Sequence, residues 1–110
     1  MLVAQKSSAY SDFIRLTAAS VHSRDADTLA RIADAKTRIC IYASMDVVQK
    51  LRDFERAGAN AEERNGQATL AALLSAMRED VTGSGFSGHE DIFLPILYGT
   101  GAVNVPLRQS

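Results

Sequence analysis

The sequence predicts an all-α protein: a compact antiparallel bundle of about four main helices and a short C-terminal helix. Three observations predict it. Apolar residues recur at i, i+3, i+4 and i+7 through most of the chain, as in helices with one buried face. The breaks in that period fall on capping and turn residues, among them Ser44, Gly58 and Gly83. Strand-like alternation is confined to RICIYA at 38–43, and there the helical period runs on unbroken.

The first helix places Tyr10, Phe13, Ile14, Thr17 and Val21 on one face. Lys6 and Ser7 offer no clear cap, so its start is open. HSRDAD at 22–27 interrupts the pattern and supplies Ser23, Asp25 and Asp27 as alternative caps for the second helix. That helix shows Leu29, Ile32, Ala33, Ile39, Cys40 and Ala43 to the core. Arg24, Asp27, Arg31, Asp34 and Arg38 form a ladder of opposite charges on its other side. Its end, RICIYA, is apolar all round, which predicts a central position.

Ser44 is placed to cap the third helix, with Asp46 favouring the positive end of its dipole. Val47, Val48, Leu51 and Phe54 face inward, and Gly58 suits the position just past the end. The polar stretch GANAEERNGQ at 58–67 reads as a connection, in which AEER can form one turn. The fourth helix, 69–81, carries Leu70, Leu73, Leu74, Met77 and Val81 on a narrow stripe among helix-favouring alanines. Ser87 and Glu90 have the spacing of a capping box for a short last helix, GHEDIFL, which Pro95 closes near Leu94. All of 1–110 reads as one domain with its core at about 8–99 and an irregular tail at 100–110.

Composition bounds the function. The balance of 46% hydrophobic and 23% charged residues is that of an ordinary globular domain. Lys+Arg 12 against Asp+Glu 13 leaves no surplus of positive charge for phosphates, so no nucleic-acid partner is expected. No apolar run is long enough to cross a bilayer, and the N-terminus is too briefly apolar for a signal peptide, so a cytoplasmic location is expected. The lone Cys40, on an apolar helical face, reads as a buried small hydrophobe.

TGSGFSG at 82–88 contains Gly83, Gly85 and Gly88 in G-x-G-x-x-G spacing. A dinucleotide site needs a buried strand before this motif and a returning parallel strand after it. Here a helix precedes it, too little chain follows, and Glu90 and Asp91 would repel a phosphate. The glycines therefore read as helix punctuation, and no cofactor is expected. His22 and His89 flank helix boundaries without a second ligand at helical spacing, so no metal site is expected. No constellation of catalytic residues is found. The acidic and basic residues of MRED at 77–80 read as solvated charge.

Lys36 sits among the apolar residues of the second helix. Either its methylenes pack while its ammonium reaches water or a carboxylate at the bundle rim, or it is a buried base or nucleophile; Thr17 is a conceivable partner. Tyr42 and Ile41 widen the apolar face toward a third helix or another chain. Lys36, Tyr42 and Arg78 are the candidate interaction residues.

RICIYASMDVVQKLRDF (38–54), LAALLSAMREDV (70–81) and EDIFLPILYG (90–99) resemble an uncharacterised helical domain of bacterial proteins. Its members show a hydrophobic stretch, a serine, D-x-V-V, a phenylalanine and a later A-M-R-x-D helix. The matching positions are Ser44, Asp46, Val47, Val48, Phe54, Met77, Arg78 and Asp80. The resemblance spans about 8–99 and carries no activity with it. It implies a place on the cytoplasmic side of a membrane, following membrane helices that this chain lacks; a start at MLVAQKSSAY fits a trimmed tether and a complete small protein equally. The leading expectation is a non-catalytic helical module that binds itself or another protein. A small enzyme using Lys36 or Cys40 in a cleft, or a nucleic-acid-associated regulator, are the alternatives.

Overall fold

The computed structural model describes residues 2–60 and 62–98; the tail expected to be irregular, 100–110, lies outside the described residues. Among them the chain forms five helices and no strand: α1 (Leu2–Ala19), α2 (Ala26–Tyr42), α3 (Met45–Arg56), α4 (Arg64–Thr82) and α5 (Glu90–Tyr98). Packing is closest within two hairpins, α1 with α2 and α3 with α4, while α1 and α4 touch more sparsely. α1 and α4 run antiparallel: Lys6 near the start of α1 meets Asp80 near the end of α4.

Both hairpins feed one core. Its largest fully buried side chains are Phe13 and Ile39 from the first hairpin and Val47, Phe54 and Leu73 from the second. Phe13 and Phe54 meet edge to face, with ring centres 6.4 Å apart and planes at 85°. Each such side chain contributes about 1.5–3 kcal/mol by leaving water.

Local chemistry sets most helix ends. Of the three candidate caps, Asp25 takes the position and accepts the Thr28 N–H at 2.7 Å. Ser44 caps α3 by accepting the Val47 N–H. α3 closes with a Schellman motif: Gly58 turns left-handed (φ 100°), its N–H reaches Glu55 O, and the Ala59 N–H reaches Phe54 O at 3.0 Å. Gly83 ends α4 at φ 90°, as its place after the helical stripe predicts.

Several expectations are corrected. α4 begins at Arg64, five residues before the first residue of the expected helix, because the turn completes itself early: Asn60 Oδ1 accepts the Glu62 N–H at 2.9 Å, and Arg64 and Asn65 then form an exposed first turn. The buried stripe of α2 is rotated toward Ala35 and Ile39, leaving Ala33 and Cys40 exposed and Leu29 40% exposed. Its end is not central: Ile41 is 66% exposed, since α1 and the α3 corner cover α2 from one side only. Ser87 does not cap α5. Glu90 instead accepts the Gly88 N–H, and the His89 carbonyl receives the first helical bonds. Pro95 does not end α5, which runs through it to Tyr98. Pro95 removes one helical bond, to the Asp91 carbonyl, while Leu94 before it is anchored in the interior.

Candidate functional site

One end of the bundle is closed by a polar clamp. Asp80 accepts the Tyr10 hydroxyl at 2.6 Å and the Lys6 ammonium at 3.1 Å, with the Ser44 backbone N–H as a further donor. The Lys6 and Asp80 side chains are only 13% and 11% exposed, so this is an almost buried ion pair. Burial alone would push the Asp80 carboxyl up; the Tyr10, Lys6 and Ser44 donors outweigh it and hold the carboxyl below the usual aspartate range. Burial, then the bond and charge of Asp80, pushes the Tyr10 hydroxyl well above its ordinary value. The reading of the MRED charges as solvated is therefore corrected for Asp80.

Beside the clamp, α1 and α4 border an open trough. Its first section, of about 520 Å³, is floored by Tyr10, Ile14, Leu74, Met77 and Val81, with Ser11 and Arg78 among the residues of its rim. A second section of about 280 Å³ shares Ile14 and Leu74 and continues to Val21, Leu70 and Leu97 of α5. The lining is apolar because the stripes of both helices point into it and nothing among the described residues fills it. On α5, Ile92 and Ile96, one turn apart, are 56% and 76% exposed.

Arg78 stands between trough and glycine loop. Its guanidinium donates to the carbonyls of Ser84 and Gly85 and lies 5.1 Å over the Phe93 ring, which stacks on Phe86 at 4.3 Å. Gly85 is needed for close approach: a β-carbon there would stand 2.7 Å from Ser75 Oγ, which itself accepts the Phe86 N–H. The G-x-G-x-x-G spacing thus shapes a staple that binds α5 to α4.

Lys36 lines a separate cavity at the opposite end of the bundle and pairs with Glu55 at 3.1 Å. Thr17 borders the same cavity, while the Lys36 ammonium donates to Glu55. Tyr42 is half-buried beside the exposed Ile41. Cys40 is exposed, which corrects its reading as a buried hydrophobe. His22 lies at the far end of the trough and His89 at the start of α5. Among the described residues no group of His, Cys, Asp and Glu is placed to hold a metal ion. Lys36, Tyr42 and Arg78 are thus spread over three places and are not brought together.

On the outer side, Arg38 ties the first hairpin, donating to Asp12 at 2.6 Å and to Asp34 at 3.1 Å, while Arg15 also reaches Asp12. The bond from Arg38 keeps the Asp12 carboxyl below the usual range. No protein-family model, curated protein or solved structure matches the chain.

Proposed function

We propose that the protein is a non-catalytic helical interaction module that associates with a second copy of itself through the α1–α4 trough. The observation that carries the reading is the trough itself: apolar residues of two helices line it, and Ile14, Leu74 and Val81 are only half-buried there. The same chain offers an apolar ridge to fill it, Ile92 and Ile96 on α5. Ridge and trough on one polypeptide make a self-complementary pair, which a two-fold axis can satisfy twice. A net charge of −1 adds little repulsion between copies.

Two further points support an interaction role over chemistry or nucleic-acid binding. Lys6, Arg15, Arg31, Lys36 and Arg38 each face a carboxylate, which competes with phosphate for them. Arg78 is committed to the loop carbonyls. No helix among the described residues is long and apolar enough to cross a membrane. A position on the cytoplasmic side of a membrane, taken from the bacterial helical domain the sequence resembles, belongs to the same proposal. Sedimentation velocity tests it. The wild type is expected to form a dimer that Ile96→Glu on the ridge and Ser11→Glu at the trough rim each convert to monomer. A wild type that stays monomeric at high concentration would refute it.

A further inference from the structure

The end of the bundle away from the clamp holds a cavity of about 310 Å³ that the trough does not account for. Its size falls at the lower end of small-molecule sites. Its accessible apolar lining is Leu29 and Ile32, with the buried edge-to-face pair of Phe13 and Phe54 beneath them. Thr17 and Ser20, 6% and 7% exposed, border it with hydroxyl-bearing side chains. Arg24, Lys36 and Glu55 bring two positive charges and one negative. Lys36 is held by Glu55, whereas among the described residues Arg24 forms no ion pair. Arg24 was expected in the charge ladder of α2; it falls instead in the turn before that helix. Ala59 closes the α3 side in a left-handed conformation (φ 53°), unfavourable for a non-glycine residue, which keeps its methyl against the core. Because the Ser20 hydroxyl donates to the Thr17 carbonyl at 2.7 Å, the cavity's polar groups toward a ligand are chiefly the two cations.

We propose that this cavity binds a small monoanionic carboxylate, its apolar body against Leu29 and Ile32 and its carboxylate between Arg24 and Lys36. No bond is made or broken. The ligand supplies the charge that Arg24 lacks and shares Lys36 with Glu55. A phosphate dianion fits less well, because Glu55 stands beside the site with only one surplus positive charge to offset it. This cavity shares Thr17 with the trough but none of the residues changed in either test, so dimerisation and ligand binding can fail separately.

The test is an amide chemical-shift titration of the full chain with phenylacetate and with its neutral counterpart, phenylacetamide. Saturable shifts confined to the cavity-lining segments of α1, α2 and α3 are expected with the acid, and about tenfold weaker binding with the amide, as for loss of one charge-assisted hydrogen bond. Arg24→Gln, in an exposed turn, is expected to weaken the acid about tenfold while leaving the amide spectrum dispersed. Glu55→Gln removes the competing carboxylate and is expected to tighten it. Absence of saturable shifts, equal affinity for acid and amide, or a Glu55→Gln variant that binds the acid more weakly would overturn the proposal.

Discussion

α1 meets α4 in two opposite ways. Near its start, Lys6 and Tyr10 converge on Asp80, and the contact is polar, almost buried and fixed in geometry. Beside that contact, from Ser7 through Tyr10 and Ile14 to Thr17, the same helix lines an open apolar trough against α4. Hydrogen bonds specify one arrangement because any other leaves a buried group unpaired. Apolar surface specifies only that something must cover it. The clamp therefore fixes how α1 and α4 pair, whereas the trough stays only partly covered.

Breaking the clamp is the largest expected effect. Asp80→Ala strands the Lys6 ammonium and the Tyr10 hydroxyl and is expected to cost about 3 kcal/mol, read by chemical denaturation. The staple at the other edge of the trough comes next. Gly85→Ala drives a methyl into Ser75 and displaces its bond to Phe86, at a cost of about 1–2 kcal/mol, with loss of order in α5 amides. Tyr10→Phe keeps the shape of the clamp and removes one hydrogen bond, about 1 kcal/mol.

Acid and alkali separate the same groups. Because the folded Asp80 carboxyl lies below its unfolded value, its contribution is full above the ordinary aspartate range and is lost as pH falls through that range and below. Asp80→Asn is expected to flatten this part of the stability profile relative to the wild type. The Tyr10 hydroxyl is raised, so the unfolded chain ionises first and stability falls as pH rises past about 10. Tyr10→Phe is expected to remove that fall.

What was legible in the sequence was local. Ser44 and Gly83 took their places because a cap depends on neighbours within one turn. The inward faces of α1, α3 and α4 followed from period alone. Asp80 was missed because its partners lie 70 and 74 residues away, although it stands three residues past Met77 and seven past Leu73, on the buried stripe. The rotation of α2 was missed for a related reason. Which flank of an apolar face is covered depends on where the neighbouring helices stand, and Lys36 moved from the middle of that face to its edge, within reach of Glu55. The trough was invisible in the sequence, since two amphipathic stripes look the same whether they close on each other or gape.

The contrast between clamp and trough is tested most directly by sedimentation velocity on the wild type and Ile96→Glu. The surface change should leave stability within about 0.5 kcal/mol. The account predicts a concentration-dependent dimer for the wild type and a monomer of equal stability for Ile96→Glu. The same monomer in both proteins, at every concentration reached, would contradict it.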